Sequence, residues 1–144
     1  MMRLGRTVTL PDPLREALQS LLGQSVTRVR IVEYSLFARL HPRAIATTRR
    51  RSIYLRGPAA EFFENAWLVL HEYCHVLMQW ETGDLTLRRY ALEWLRRGYW
   101  NNRFEVEARA FADRHVQALR RKAEPSAGRA LAAIETINRS RQSR

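Results

Sequence analysis

Two histidines and a glutamate lie within one five-residue stretch near the middle of the chain, in the sequence LHEYCHV. Residues four apart on an α-helix project from the same face, so the imidazoles of His71 and His75 can bind one ion. Glu72 is rotated by about 100° from His71, close enough to reach a water at that ion without being a ligand. This is the H-E-x-x-H pattern of zinc hydrolases, in which zinc is the Lewis acid and the glutamate the general base. The pattern predicts a Zn²⁺ site with His71 and His75 as ligands and Glu72 as the catalytic residue.

The residues around this motif indicate that its helix is central and buried. Residues 66–70 and 76–78 are apolar and make the predicted helix hydrophobic nearly all round. Burying a carboxylate and two imidazoles there costs several kcal/mol unless something compensates. A metal ion would compensate, whereas the alternative is a core helix whose two histidines are satisfied by hydrogen bonds.

A catalytic zinc needs a third protein ligand and one open coordination position. The candidates lie in the segment RFEVEARAFADRH, which has helical periodicity. Glu105 lies about 70° and Glu107 about 90° from the centre of the apolar face, which slightly favours Glu105. The small Ala108 would also let this helix approach the histidine helix closely. We therefore predict Glu105 as the third metal ligand, with Glu107 as the alternative; an exposed ion pair of Glu105 with Arg109 is the non-functional explanation.

Other residues are weaker candidates for the site. Tyr90, Tyr99 or Arg109 could supply the donor that stabilises an oxyanion, and the sequence does not choose among them. His115 would lie about 15 Å along the helix from Glu105, too far for the same ion, and Cys74 is expected to pack in the core. The tryptophans are expected to line the core and a substrate cleft: Trp67, Trp80, Trp94 and Trp100.

Composition limits the partners and the location. A single cysteine excludes an internal disulfide framework and a four-thiolate zinc site. The net charge of +11 would favour an acidic partner or nucleic acid, but the arginines are dispersed and no nucleic-acid-binding motif is found. The N-terminal sequence MMRLGRT lacks the apolar segment of a secretory signal, and no stretch predicts a membrane span. We therefore expect a cytoplasmic protein.

The first half of the chain predicts a short helix and a small sheet. Asp12 and Pro13 suit the start of a helix that ends at Gly23. The β-branched stretch 26–33 predicts a strand, and 35–40 a helical turn. Strands are also expected over 44–48 and 52–56, joined through three arginines. These would form an antiparallel sheet of about three strands.

The second half predicts helices throughout. Their predicted ranges are Ala59 to Glu81, Leu85 to Arg97, about Arg103 to Lys122, and Ala127 to Asn138. The predicted architecture is α+β: a single domain over residues 1–138, a small sheet followed by a helical half, with the H-E-x-x-H helix buried centrally and a frayed basic tail over 139–144.

The order of these features resembles a known family. A proline-led helix (LPDPL), a basic-hydrophobic strand (VRI), a hairpin ending in SIYLR and then LHEYCHV with Gln79 resemble the core domain found with extracellular contractile injection systems, over about residues 10 to 80. The segment NRFEVEA is similar to one in small zinc peptidases, and its Glu-x-x-Ala parallels the glutamate helix of glutamate-zincins. The resemblance implies a minimal zincin fold, a bacterial source, and association with phage-tail-like particles as effector or accessory protein. Two departures are Tyr73-Cys74 in place of the more usual Leu-Thr, and a chain that looks like a stand-alone domain.

The leading functional hypothesis is a zinc-dependent metallopeptidase acting on peptide or protein substrates. An alternative is a catalytically silent zincin scaffold that binds a protein or nucleic acid through its basic surface. A third hypothesis is that the zinc is structural. The resemblance adds non-classical delivery through an injection particle to the expected cytoplasmic location.

Overall fold

The structure is a computed structural model that describes residues 5–40 and 44–124, and within these ranges it is α+β as predicted. Four strands form one sheet in the order β1-β2-β4-β3: β1 Arg6–Val8, β2 Arg30–Glu33, β3 Ala46–Arg49 and β4 Ser52–Leu55. Six helices accompany it: α1 Asp12–Leu22, α2 Leu36–Arg39, α3 Ala59–Glu64, α4 Ala66–Tyr73, α5 Leu87–Arg97 and α6 Arg103–Ala123. A π-helical segment, Cys74–Trp80, continues α4.

The sheet is mixed and has four strands, whereas the sequence predicted about three antiparallel strands. β1 pairs antiparallel with β2, and β3 with β4, but β2 and β4 run parallel with Ile31 opposite Ile53. The parallel pair places β4 inside the sheet and leaves β3 at one edge. Ile31 and Ile53 are both buried, so this pair anchors the sheet on the core.

β2 is shorter than predicted because the stretch before it forms a turn. The Val29 amide donates to the Val26 carbonyl at 3.1 Å, which closes the chain on itself before the strand begins. Val26 and Val29 are nonetheless buried in the core. Their apolar character therefore reflects a packed turn and not a strand.

The β3–β4 hairpin turns through two arginines. Arg49 pairs with Ser52, so Arg50 and Arg51 form the connection. Arg50 has φ +53°, a left-handed conformation that is uncommon for a residue other than glycine, asparagine or aspartate. The hairpin thus holds three consecutive arginines at one end of the sheet.

The helix predicted over residues 59–81 is divided by Asn65. This residue has a non-helical backbone, and its side chain accepts a hydrogen bond from the Leu68 amide at 3.0 Å. Asparagine side chains compete with helical hydrogen bonds and favour such caps. α3 therefore ends before Asn65, and α4 begins after it at Ala66, five residues before His71.

The helix changes from α-helical to π-helical directly after the turn that carries His71. Over residues 74–80 the ladder is π-helical, and the Glu81 amide donates to the Val76 carbonyl five residues back at 3.0 Å. An i→i+5 ladder places more residues in each turn than an α-helix does. π-Helical turns are frequent at functional sites.

The other helices agree with the prediction to within two residues. α1 runs from Asp12 to Leu22 and is capped by Gly23, whose φ of +66° suits glycine. α5 starts after Thr86, which accepts from the Arg89 amide at 3.2 Å, and α6 starts after Asn102, which accepts from the Phe104 amide at 3.0 Å.

α4 lies against α6, and α1 also packs on α6. Ala108 and Ala112 on α6 are fully buried, so two residues with the smallest apolar side chains lie on its packed face. The surrounding core is built from both halves of the chain, including Leu18, Ile31, Ile53, Phe62, Val69, Leu70, Val76 and Leu119.

α5 differs from the other long helices because all of its residues keep at least partial exposure. Trp94 is 53% exposed, and Trp100 in the loop that follows is 67% exposed. These two tryptophans therefore lie outside the core, which was one of the two locations predicted for them.

Several predictions extend beyond the described residues. The predicted helix Ala127 to Asn138 and the tail 139–144 lie outside them, as does the last part of the predicted domain 1–138. Over the ranges that are described, none of the helices combines the length and apolar character that a bilayer crossing requires.

Candidate metal centre

The two histidines of the motif lie at the junction of α4 and the π segment. His71 is 6% and His75 is 4% exposed, and their Nε2 atoms are 3.1 Å apart. Their rings meet edge to face, with centroids 4.7 Å apart. The predicted convergence of the two imidazoles is present.

Glu105 comes to the same point from the first turn of α6. Its Oε2 atom lies 3.2 Å from His71 Nε2 and 3.5 Å from His75 Nε2. The Asn102 cap fixes the start of α6, and the buried Ala108 lets α6 approach α4 closely. Three potential ligand atoms from two helices therefore form one buried cluster that could hold a metal ion.

The separations within this cluster fit a small divalent cation. In a tetrahedral zinc site with bonds of about 2.0–2.1 Å, two ligand atoms lie about 3.3 Å apart. The three observed separations of 3.1, 3.2 and 3.5 Å scatter around that value. Glu105 Oε2 is buried and accepts no hydrogen bond from the described residues. Three nitrogen and oxygen atoms that converge at these distances in a buried site are an arrangement that a cation would complete.

Glu107, the alternative third ligand, points elsewhere. It is exposed, and its Oε2 accepts a hydrogen bond from Gln79 Nε2 at 3.2 Å. It does not belong to the cluster formed by His71, His75 and Glu105. The structure therefore separates the two candidates: Glu105 lies beside the imidazoles, and Glu107 contacts a residue that supports one of them.

Gln79 orients His75. Its Oε1 lies 2.7 Å from His75 Nδ1, while its Nε2 donates to the Phe104 carbonyl at 2.9 Å and to Glu107. Because both amide hydrogens of Gln79 have acceptors, its oxygen faces His75 and must receive a proton from Nδ1. That proton leaves the Nε2 lone pair of neutral His75 directed at the cluster, the usual arrangement of a metal-bound histidine. Residues 75 and 79 are four apart on a helical segment, so their side chains project from the same face.

Trp67 holds the ring of His71. The two rings stack with centroids 5.0 Å apart and an interplanar angle of 22°, and the indole Nε1 donates to Asp113 on α6 at 2.7 Å. His71 Nδ1 is buried and has no hydrogen-bond partner among the residues that the structure describes. His71 is therefore positioned by stacking, and His75 by hydrogen bonding.

Two tyrosines lie beside Glu105. The Tyr90 hydroxyl donates to Glu105 Oε1 at 2.9 Å and so fixes the carboxylate from α5. The pKa of the half-exposed Tyr99 is raised to about 12, first by burial and then by the Glu105 charge. Arg109 lies over the Trp100 ring at 4.1 Å. Of the three predicted oxyanion donors, Tyr90 is thus engaged with a candidate ligand and Arg109 with an aromatic ring.

The ionisation of the cluster follows from its contacts. Burial alone would raise the pKa of Glu105, but the adjacent His71 and His75 outweigh it and lower that pKa. Burial alone would lower the pKa of His75, but Glu105, Glu72 and Gln79 raise it. The cluster thus keeps a carboxylate anion, which a bound cation would neutralise.

Glu72 is buried, with 4% exposure, one residue after the first histidine. Burial raises the pKa of its carboxyl group, and the nearby His75 and His71 oppose this increase. None of the described residues donates a hydrogen bond to it. Glu72 therefore lies close to the cluster without belonging to it.

Cys74 and His115 lie outside the cluster. Cys74 is buried, and burial raises its thiol pKa to about 12, so it is a neutral packing residue. His115 packs on Phe111 with ring centroids 4.5 Å apart.

No family model, curated protein or solved structure matches the chain. The zincin fold and the resemblance to the contractile-injection-system domain therefore stay predictions.

Proposed function

We propose that this protein is a zinc-dependent metallopeptidase, in which His71, His75 and Glu105 hold the ion. The observation that carries the proposal is the convergence of the three ligand atoms at 3.1–3.5 Å in a buried site with Glu72 adjacent in the chain. Bound Zn²⁺ supplies a Lewis acid for the peptide carbonyl and lowers the pKa of water.

Each surrounding residue has a definite task in this proposal. Glu72 removes a proton from the attacking water and delivers it to the leaving nitrogen, which makes it the catalytic residue. Gln79 keeps the proton of His75 on Nδ1, and Tyr90 holds Glu105 Oε1 so that Oε2 stays directed at the histidines. The buried surroundings strengthen these electrostatic interactions by excluding water.

Metal analysis and a peptidase assay on two variants test the proposal. Glu72→Gln should keep stoichiometric zinc and lose at least about 100-fold in kcat, the contribution of a general base. His75→Ala should lose both zinc and activity. If wild-type protein purified at neutral pH contains no zinc, the proposal is contradicted.

The same experiment separates the remaining alternatives. A catalytically silent scaffold would bind zinc but fail to hydrolyse a broad peptide library, with no difference between wild type and Glu72→Gln. A structural zinc would make chelation unfold the domain. A peptidase should instead stay folded after chelation and regain activity when zinc is restored.

A further inference from the structure

Five arginines line a cavity at the end of the π segment. It has a volume of about 710 Å³ and lies between the turn before β2, the β3–β4 hairpin and the first turn of α5. Its basic lining residues are Arg28, Arg49, Arg50, Arg51 and Arg88. We refer to it as the arginine cleft.

Most of the positive charge of the arginine cleft is not compensated. Glu81 is the only acidic residue among the described residues that line it. It binds Arg28 through Nε at 2.8 Å and Nη2 at 2.7 Å, and Arg51 lies 3.8 Å away. Arg49, Arg50 and Arg88 form no ion pair with any residue that the structure describes. Three guanidinium groups are therefore free to bind an anion.

The hairpin holds its arginines at a cost in backbone conformation. The backbone of Arg50 has a φ of +53°, a conformation in which glycine would be more favourable than arginine. The same turn also lines a further hollow, whose lining residues are Arg49, Arg50, Arg51, Ser52 and Tyr54. The arginines thus face two adjoining cavities, enough surface for an extended ligand.

The arginine cleft borders the candidate metal centre through two elements. Trp80 and Glu81 directly follow the turn that carries His75 and Gln79. α5, whose first turn lines the cleft, also carries Tyr90, which donates to Glu105. A ligand in the cleft would therefore lie against the elements that support the metal ligands.

We propose that the arginine cleft binds an acidic segment of a peptide or protein. Planar guanidinium groups bind carboxylates through paired hydrogen bonds, and the cavity has the size of a typical ligand pocket. Leu85 and Leu87 add apolar contacts. Trp80 is the one aromatic residue of the described lining and is partly buried, so the cleft lacks the stacking surfaces that bind single-stranded nucleic acid. That the acidic segment belongs to a substrate rests on the proposed function.

Binding is tested with full-length Glu72→Gln protein loaded with zinc, so that no peptide is cleaved. Fluorescence anisotropy would compare a labelled oligoglutamate peptide with an oligoglutamine peptide of the same length. The acidic peptide should bind at least about tenfold more tightly, with an affinity that falls as salt is added. Arg50→Gly and Arg88→Gln should each weaken binding by about three- to tenfold, as expected for the loss of one solvent-screened hydrogen bond or ion pair.

Two controls separate the cleft from general charge and from unfolding. Arg114→Gln removes one exposed arginine of α6 outside the cleft and should leave binding unchanged. Arg50→Gly should leave the unfolding midpoint unchanged or raised, since glycine relieves the positive φ. An equal loss in Arg114→Gln, or tighter binding of an oligonucleotide of matched charge, would overturn the inference.

The outcome is distinguishable from that of the proposed function. If wild-type protein hydrolyses peptides with no preference for acidic ones, the cleft inference fails and the peptidase stands. If oligoglutamate binds through Arg50 and Arg88 but no peptide is hydrolysed, the peptidase fails and the cleft stands as a binding site.

Discussion

Glu33 and Glu105 are both buried carboxylates, yet their surroundings are opposite in kind. Glu33, at the end of β2, accepts from Arg6 Nε at 2.6 Å and from the Ala59 amide at 2.9 Å. Glu105 receives one hydrogen bond, from Tyr90, and turns its other oxygen towards two imidazole nitrogens. Their exposures are nearly equal, 4% and 5%, so the difference lies in the partners and not in the depth of burial.

The comparison shows how a structural acid differs from one held for a ligand. A buried carboxylate is stable when donors of the protein complete its hydrogen bonds, as the start of α3 and Arg6 do for Glu33. One oxygen of Glu105 accepts a hydrogen bond from Tyr90, whereas the other accepts none from the described residues. An incomplete buried anion beside two potential metal ligands points to a cation that the chain does not itself provide.

The largest expected effect is on metal binding. Glu105→Gln should lower zinc affinity by at least about 100-fold, because it removes the charged ligand, whereas losses outside the ligand shell are about 10–100-fold. Glu33→Gln, the matched change in the other buried carboxylate, should leave zinc affinity unaltered. Competition with a fluorescent chelator measures both. A greater loss in Glu107→Gln than in Glu105→Gln would reverse the assignment of the third ligand.

A smaller effect is expected one contact away from the ligands. Gln79→Leu should weaken zinc binding by about 10–100-fold, because His75 Nδ1 loses the acceptor that fixes its proton. Gln79→Glu keeps an acceptor at this position and should recover part of the affinity. Equal affinity of Gln79→Leu and wild type would show that the His75 tautomer is set in another way.

The smallest expected effect is a change in the free energy of unfolding, and in its pH dependence, when Glu33 is substituted. The Ala59 amide, followed by Arg6, lowers the pKa of this carboxyl group in the folded protein. Its stabilising contribution is therefore present above the unfolded-state pKa of about 4.3 and is lost as the pH falls through the lower folded-state pKa. Urea unfolding of the metal-free protein at pH 7 should show Glu33→Gln less stable by about 1–2 kcal/mol.

The difference between Glu33→Gln and wild type should shrink as the pH approaches the folded-state pKa. Glu105→Gln in the same metal-free state should lose less stability than Glu33→Gln, because only one Glu105 oxygen has a hydrogen-bond donor, although the histidines that lower its pKa still make its carboxylate stabilising. A loss of stability as large as that of Glu33→Gln would make Glu105 a structural residue as well.

Much of the candidate site is local in the sequence and was therefore predictable. The four-residue spacing of His71 and His75 and the apolar phase of α6 are both helical periodicities, and they indicated His71, His75 and Glu105. The supporting contacts were not predictable in the same way. Glu107 has its role only through Gln79, whose amide also donates to the Phe104 carbonyl, so these contacts depend on how two distant segments pack.

The fold was predictable where single residues begin or end a helix, and less predictable where segments distant in the sequence pair. The α+β order and the end of α1 at Gly23 follow from local signals. The parallel pairing of β2 with β4 depends on a contact between segments about twenty residues apart along the chain, which periodicity does not encode. Asn65 did carry a signal, since an asparagine inside an apolar helical run favours a cap.

The π segment also sets the rotational phase between the two ends of its helix. Removing one residue between His75 and Trp80 would restore an α-helical ladder and swing Gln79, Trp80 and Glu81 by roughly 100° about the axis. The metal ligands upstream would keep their spacing, while the partner of His75 and the wall of the arginine cleft would turn away together. A single-residue deletion here would therefore disrupt both the support of His75 and the arginine cleft, although the H-E-x-x-H motif itself would be unchanged.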